Sequence, residues 1–199
     1  AKIDIQHISS GVSIDLIRTY KKLGAKLHAE ATPHHFSLTE DAVLEHGTLA
    51  KMNPPLRAKE DVDALKIGLR DGIMEVISTD HAPHTAEEKK KDLNHAPFGI
   101  VGTETAAALT YTELVQKGYL DPMGMAEKMS TNPARILGIG KGDISEGHIA
   151  DIVIFDPRAS YEIHAKDFAS KGKNTPFEGR EVTGRVVTTI LDGQVVYRA

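Results

Sequence analysis

The chain has 199 residues, of which 40% are hydrophobic and 26% charged, a balance that is typical of globular proteins and sufficient for one sizeable core. Its formal net charge of −4 gives no support for binding nucleic acid or an anionic membrane surface, and no stretch approaches the ~20 apolar residues of a membrane span. The absence of cysteine excludes disulfides and thiolate metal sites and fits a reducing compartment, so we predict a cytoplasmic location.

Strands and helices alternate in the first part of the chain. Period-two spacing predicts a strand that ends at His7, and a helix follows as far as Gly24. A second strand over residues 25–31, a helix over 61–72 and an apolar strand that ends at Asp80 come next. We expect the first helix to bury an apolar face made of Val12, Leu16, Ile17 and Tyr20. Alternation of this kind favours parallel strands joined by crossover helices.

The second part begins with helices over residues 104–117 and 122–129, and its character changes after residue 141. A strand over 147–156 is followed by two strands that flank Asp192-Gly193, a strong hairpin signal because this dipeptide tolerates positive φ.

We therefore predict an α/β fold with two parts. Residues 1–141 would be a portion of a TIM-like barrel, and residues 142–199 would form a small β subdomain with the terminal hairpin. The predicted strands are too few to close a barrel of about eight, so we expect the first part to be the last portion of such a barrel.

The most reactive stretch runs from Met74 to His84, where an apolar strand leads into Asp80 and His81. Carboxylate and imidazole groups are well placed there, because open α/β sheets and barrels carry their sites at the carboxyl ends of strands. Asp80 could be a metal ligand, a general base, or both in turn. The alternative is a plain turn, since Asp, His and Pro are all common after a strand.

His7 ends a different strand from Asp80, and folding could bring both side chains to one rim. Imidazole binds zinc well and a carboxylate often completes such a site; the alternative for His7 is a hydrogen-bonded residue at a strand end. His34 and His35 are expected to serve structure. The charged residues 85–96 are predicted to be either a solvated surface loop or a lid beside the site.

Five short motifs then occur in a fixed order. They are Ile8–Ser10 (ISS) after His7, Ala29–His35 (AEATPHH), Lys51–Arg57 (KMNPPLR), Ser78–His84 (STDHAPH) and Ala96–Gly99 (APFG). Together they closely resemble dihydroorotases of the bacterial class I type, in the amidohydrolase superfamily. The segments 147–156 and 171–177 match the family's C-terminal part as well, so the resemblance covers essentially the whole chain.

The resemblance implies a (β/α)8 barrel hydrolase with a small β subdomain, in which residues 1–141 would be about the sixth to eighth βα units. The implied reaction is the reversible hydrolysis of L-dihydroorotate to N-carbamoyl-L-aspartate in pyrimidine (UMP) biosynthesis. One or two Zn²⁺ ions at the carboxyl rim would polarise the amide and activate water. His7 resembles the metal-binding histidine of the sixth strand. Asp80 resembles the aspartate of the eighth, which contacts metal and moves the proton as the catalytic residue.

The resemblance also implies a set of residues that bind substrate. Asn53 and His84 resemble side chains that bind it, and they can supply donors for a substrate carboxylate. Phe98 and Gly99 resemble residues whose backbone contacts the substrate ring. No nucleic acid or membrane is expected as a partner; the protein partners to consider are a second copy of the chain, in a homodimer, and an aspartate transcarbamoylase.

The family pattern includes a His-x-His pair and further metal ligands on earlier strands, and this sequence has no His-x-His. Two ligands do not make a tight zinc site, so we expect the chain to be the C-terminal portion of such an enzyme and inactive alone. Three alternatives stay open: a hydantoinase or allantoinase-type cyclic amidohydrolase, a non-catalytic dihydroorotase-like scaffold for aspartate transcarbamoylase, and a truncated sequence with no role of its own.

Overall fold

A parallel sheet carries the first part of the chain. The computed structural model describes residues 1–199 and contains the strands β1 (Ile3–Ile5), β2 (Leu27–Ala31) and β3 (Val76–Ile77) in the order β1-β2-β3. The register pairs Ile3 with Leu27 and Glu30 with Val76. Because β2 is central, the carboxyl ends of β1 and β3 lie on either side of its own end, each about 4.8 Å away across the sheet.

Eight helices surround and follow this sheet. They are α1 (Gly11–Lys22), α2 (Pro33–Ser37), α3 (Ala42–His46), α4 (Lys59–Arg70), α5 (Ala86–Lys89), α6 (Ala106–Thr110), α7 (Pro122–Ala126) and α8 (Asn132–Leu137). A π-helical turn over Tyr111–Val115 extends α6, and another over Glu127–Thr131 joins α7 to α8. Short 3₁₀ turns cover Gly47–Ala50 and Ala165–Asp167. None of the helices combines the length and the apolarity that crossing a membrane would require.

The helix ends follow local sequence signals. The Ser10 hydroxyl caps α1 by accepting from the Ser13 amide at 3.3 Å, and the Asp121 carboxylate caps α7 by accepting from the Gly124 amide at 2.6 Å. Gly138 ends α8 with φ 71°, the left-handed conformation that glycine adopts without strain.

The buried face of α1 differs from the predicted one. Of the four predicted positions only Ile17 is buried, whereas Val12, Leu16 and Tyr20 are 71%, 54% and 54% exposed. The reason is the way α1 packs on α4: a Cβ at Gly68 would stand 3.2 Å from Cγ2 of Ile14, so the two helices approach closely along that side. The prediction for those three residues was therefore wrong, because the neighbouring helix selects which face is covered.

An antiparallel sheet forms the end of the chain. Its strands are β4 (Ile152–Glu162), β5 (Glu181–Leu191) and β6 (Gln194–Arg198), with β5 in the centre. Asp192 and Gly193 join β5 to β6 with φ values of 48° and 73°, so the predicted hairpin is confirmed. The strand predicted over 147–156 begins only at Ile152.

Two apolar clusters form the core. The first lies between the parallel sheet and its helices and contains Ile8, Ile14, Ile17, Ala29, Ala31, Phe36, Leu65, Leu69, Met74, Ile77 and Leu114. The second joins distant parts of the chain and contains Ala42, Ala50, Met52, Leu56, Ile100, Ala108, Leu109, Ile163, Phe177 and Val182. The α/β character is thus confirmed, and the described chain holds two open three-stranded sheets without a closed barrel.

Candidate active site at the strand ends

The two predicted metal-binding residues share an uncommon backbone conformation. His7, just after β1, has φ 40°, and Asp80, just after β3, has φ 46°. The third non-glycine residue with positive φ is Asp192, which the hairpin turn accounts for. A left-handed conformation costs an L-residue roughly 1–2 kcal/mol, and such strain clusters at functional sites. At both strand ends, the backbone therefore has a conformation that the intrinsic preference of the residue does not favour.

Polar atoms at these strand ends lack partners within the chain. Nδ1 of His7 is buried and makes no hydrogen bond, and no hydrogen bond to the Asp80 carboxylate occurs in the described structure. Burial raises the pKa of the Asp80 carboxyl above its ordinary value, and the nearby His7 imidazole opposes that rise. Since the His7 ring nitrogen has no partner within the chain, it is available to bind a ligand.

The donors at the strand ends suit zinc in kind but not in number. An imidazole nitrogen and a carboxylate are both common zinc ligands. However, no group of three or more His, Cys, Asp and Glu side chains in the described chain is arranged to hold a metal ion. Since a stable zinc site uses three or four protein ligands, His7 and Asp80 could hold the ion only together with ligands from another polypeptide segment.

Two neutral imidazoles lie behind this rim. Burial lowers the pKa of His35 to about 4, so its Nε2–H donates to the Pro54 carbonyl at 2.8 Å while Nδ1 is 2.7 Å from Oγ1 of Thr32. Burial, followed by the neighbouring His35, lowers the pKa of His34 well below its ordinary value, and its Nε2 has no partner. His35 thus anchors the loop that begins at Pro54, which agrees with its predicted structural role.

Three of the four predicted substrate-binding residues lie in two connected loops beside the rim. Nε2–H of His84 donates to the Phe98 carbonyl at 3.0 Å, and the Gly99 amide donates to the Lys51 carbonyl at 2.9 Å. Gly99 has φ 97°, and a Cβ there would stand 2.5 Å from Cβ of Ala82, so this position requires glycine. The Phe98 amide has no acceptor within the chain and is free to meet a ligand.

Asn174 is the main residue that sequence reasoning missed. Its Oδ1 accepts from the His84 amide at 2.9 Å, and its Nδ2 donates to the carbonyls of Ala82 at 3.0 Å and Gly99 at 3.1 Å. Its own carbonyl accepts from the Val101 amide at 2.9 Å. Only the inclusion of Asn174 in the segment 171–177 hinted at a role, since that loop has no periodicity from which a contact could be predicted.

Lys89 is the second missed residue. It is only 5% exposed, and its ammonium donates to the carbonyls of Pro97 at 2.9 Å and Gly99 at 3.0 Å. Burial, with a smaller contribution from Lys51, lowers the pKa of Lys89 to about 8. Of the two alternatives predicted for residues 85–96, a solvated loop does not describe this side chain, which is buried and holds the 97–99 backbone in place.

A basic cleft of about 370 Å³ opens next to these loops. Its lining includes His84, Lys89, Lys90, Lys173 and Asn174, with no carboxylate among the lining residues. Asn53 is exposed at the start of the neighbouring loop, and its side chain makes no hydrogen bond within the chain. The structure thus brings Phe98, Gly99 and His84 together through hydrogen bonds.

The model of the amidohydrolase family matches residues 4–196 of the chain. The chain belongs to the amidohydrolase family. Among curated proteins, it is 54% identical over 199 residues to a dihydroorotase of Clostridioides difficile (strain 630), and 49% identical over 197 residues to a dihydroorotase of Clostridium acetobutylicum. The resemblance to dihydroorotases that the motifs predicted is therefore confirmed.

These amidohydrolase relatives are longer than the chain. The match covers 100% of the chain but 47% of the C. difficile protein, so the chain spans about half the length of the curated relatives it matches. Among solved structures, the chain superposes on an L-hydantoinase (dihydropyrimidinase) from Arthrobacter aurescens with a TM-score of 0.95 at 32% identity. It superposes on a dihydropyrimidinase from Brevibacillus agri NCHU1002 with a TM-score of 0.94 at 28% identity. Both superpositions include 100% of this chain and 45% of the other chain.

Proposed function

We propose that this chain supplies part of the active site of a dihydroorotase, which hydrolyses L-dihydroorotate reversibly to N-carbamoyl-L-aspartate in pyrimidine biosynthesis. The observation that carries the proposal is the pair His7 and Asp80, held with positive φ at the ends of the two strands that flank β2. The 54% identity to a dihydroorotase of C. difficile supports it. We further propose that residues 1–141 belong to a (β/α)8 barrel and residues 142–199 to its β subdomain.

The proposed chemistry assigns separate roles to metal and protein. One or two Zn²⁺ ions, held by His7, Asp80 and ligands from another segment, would polarise the amide carbonyl and activate water. The Asp80 carboxylate accepts the proton of the attacking water and passes it to the ring nitrogen as the amide C–N bond breaks. A carboxylate beside a cation stays ionised near neutral pH, so Asp80 would be in the form that accepts the proton of water.

Substrate recognition would use the loops beside the rim. The Asn53 side chain and the Phe98 amide are both free to hydrogen-bond a carboxylate or the ring amides. His84 contacts the Phe98 carbonyl, and the basic cleft beside it favours an anionic substrate. The N–H and C=O of Gly99 already have partners in the protein, so we assign Gly99 to shaping the loop.

The main alternative is a hydantoinase-type amidohydrolase, which the TM-score of 0.95 to an L-hydantoinase favours. Sequence identity favours a dihydroorotase, because the 54% identity to the C. difficile dihydroorotase exceeds the 32% identity to that L-hydantoinase. A scaffold for aspartate transcarbamoylase, a homodimer and a cytoplasmic location stay predictions.

The test is complementation of the chain by the part of a dihydroorotase that it does not match. The chain would be co-expressed with the part of the C. difficile dihydroorotase that it does not match, loaded with Zn²⁺, and assayed with L-dihydroorotate and with a hydantoin. We expect turnover of L-dihydroorotate by the combination, none by the chain alone, and loss of turnover with Asp80→Asn or His7→Asn.

The matched control is Asp192→Asn, which changes a residue of similar φ in the hairpin of the antiparallel sheet and should leave the rate unchanged. Turnover of the hydantoin in preference to L-dihydroorotate would favour the alternative. A correctly assembled, zinc-loaded combination that turns over neither compound would contradict an enzymatic role.

A further inference from the structure

Two lysines hold the same short stretch of backbone beside the rim. The Lys89 ammonium donates to the carbonyls of Pro97 at 2.9 Å and Gly99 at 3.0 Å. The Lys51 ammonium donates to the carbonyl of Ala96 at 2.6 Å. A positive charge therefore lies on the carbonyl oxygens of three of these four residues, but the two lysines bond different peptide groups.

The peptide groups of this stretch differ in how they use their N–H. The group between Ala96 and Pro97 has no N–H, because the proline nitrogen carries no hydrogen. In the group between Phe98 and Gly99, both the carbonyl and the N–H have partners within the chain. The group between Pro97 and Phe98 combines a carbonyl that is bonded to Lys89 with an N–H that has no acceptor within the chain.

The contact between Lys89 and the Pro97 carbonyl affects the Phe98 N–H through the peptide group that they share. This peptide bond is trans, so its C=O and N–H point in opposite directions, and the N–H faces away from the Lys89 ammonium. A cation on the oxygen also draws electron density from the nitrogen, which makes the N–H a stronger donor, as in hydrogen-bond chains that polarise one another. Lys89 thus both fixes the direction of this N–H and strengthens it.

Lys89 is itself held in place on both its backbone and its side chain. It ends α5, whose first turn is closed by a capping box in which the Thr85 hydroxyl accepts from the Glu88 amide at 3.2 Å and the Glu88 carboxylate accepts from the Thr85 amide at 2.9 Å. The Lys89 carbonyl accepts from the Thr48 hydroxyl. Since the Lys89 side chain is 5% exposed and bonded only to backbone carbonyls, its ammonium has a defined position.

We propose that Lys89 is a positioning residue of the proposed dihydroorotase site: its ammonium holds and polarises the Pro97–Phe98 peptide group so that the Phe98 N–H donates to the substrate. The inference rests on the proposed function, because the acceptor would be a carboxylate or ring carbonyl oxygen of L-dihydroorotate. Lys89 does not contact the substrate itself. Lys51 anchors the same stretch through a peptide group without an N–H, so it provides the matched control.

The first measurement uses the 199-residue chain alone, labelled with ¹⁵N at its five phenylalanines, in ¹H–¹⁵N correlation spectra at neutral pH. We expect Lys89→Met to move the Phe98 amide proton upfield, as a weaker donor would be, and to move it further than Lys51→Met does. Lys89→Arg, which keeps a cation, should stay closer to the wild-type position. The signals of Phe36 in α2 and Phe155 in β4 should not move, which shows that each variant is folded.

The second measurement uses the zinc-loaded combination with the unmatched part of the C. difficile dihydroorotase. Lys89→Met should raise KM for L-dihydroorotate by roughly tenfold and leave kcat nearly unchanged, because the Phe98 N–H would bond the substrate in the ground state as well as in the transition state. Lys51→Met should raise KM less, and Lys89→Arg should recover part of the loss.

The two measurements distinguish a failure of this inference from a failure of the proposed function. If the wild-type combination shows no turnover, the proposed function is contradicted, and the spectra of the chain alone still test the effect of Lys89 on the Phe98 amide. A Phe98 signal that Lys89→Met leaves at its wild-type position would overturn the inference. Equal increases in KM for Lys89→Met and Lys51→Met would also overturn it, because loosening of the backbone would then explain both.

Discussion

Polar groups lack hydrogen-bond partners at the ends of β1 and β3, whereas those of Asn174 in the neighbouring loops are paired. His7 and Asp80 have positive φ, a buried ring nitrogen without a partner and a carboxylate without a hydrogen bond. Asn174, in the neighbouring loop network, uses its amide oxygen and both of its amide N–H groups in hydrogen bonds of 2.9 to 3.1 Å.

The contrast indicates that the strand ends and the loop network have different roles. Satisfied groups fix the position of a loop, while strained and unsatisfied groups are retained where a ligand completes them. Substitutions should therefore reduce stability in the loop network and leave it unchanged, or raise it, at the strand ends.

The largest effect is expected from Asn174→Ala. The change removes three hydrogen bonds and leaves the His84 amide and the Ala82 carbonyl without protein partners, so the free energy of unfolding should fall by about 3 kcal/mol. Urea unfolding measures it. Asn174→Asp, which keeps the acceptor but loses both donors, should also be clearly destabilised, and a loss below about 1 kcal/mol for the Ala variant would show that the network is not structurally important.

Gly99→Ala should come next, with a loss of about 2 kcal/mol. The new Cβ would stand 2.5 Å from Cβ of Ala82, and φ 97° is unfavourable for alanine. The matched control is Gly140→Ala, because a Cβ at Gly140 meets no atom within 4 Å. Equal denaturation midpoints for the two variants would refute the close approach of the 82 and 99 backbones.

Lys89 provides a test by pH. Its folded pKa of about 8 lies below its ordinary 10.5, so between these values the unfolded chain binds more protons than the folded one. Stability should therefore rise with pH across that window, by about 1–2 kcal/mol relative to Lys89→Met. Urea unfolding of both proteins across the window measures the difference. Lys91→Met, on an exposed neighbour, is the control, and parallel curves for wild type and Lys89→Met would disprove the lowered pKa.

The smallest effect on stability is expected at the strand ends. Asparagine accepts left-handed backbone better than most residues, so His7→Asn and Asp80→Asn should leave the free energy of unfolding unchanged or raise it by up to about 1 kcal/mol. Thermal unfolding compares them with Asp192→Asn in the hairpin turn. A loss of more than about 1 kcal/mol at either strand end would mean that these residues serve the fold and not the proposed chemistry.

Local signals made much of the fold predictable. The alternation of strands and helices in the first part and the hairpin at Asp192-Gly193 depend on residues close together in sequence. The strand-end residues His7 and Asp80 could be identified for the same reason, because each strand pattern and the polar residue after it lie close together in sequence.

Contacts between distant segments decided the rest. Ile14, and not Val12 or Leu16, faces the core because α4 approaches α1 on that side. Asn174 contacts the backbones of His84 and Gly99, which are 90 and 75 positions away in sequence. No periodicity in the sequence predicts such contacts.

The sequence by itself determined the elements, the family and the reactive residue types, because each depends on short-range pattern or on motif. Only the tertiary structure decided which charged side chains are buried, as Lys89 and Glu113 are, since burial and pKa depend on what the folded chain packs around a group.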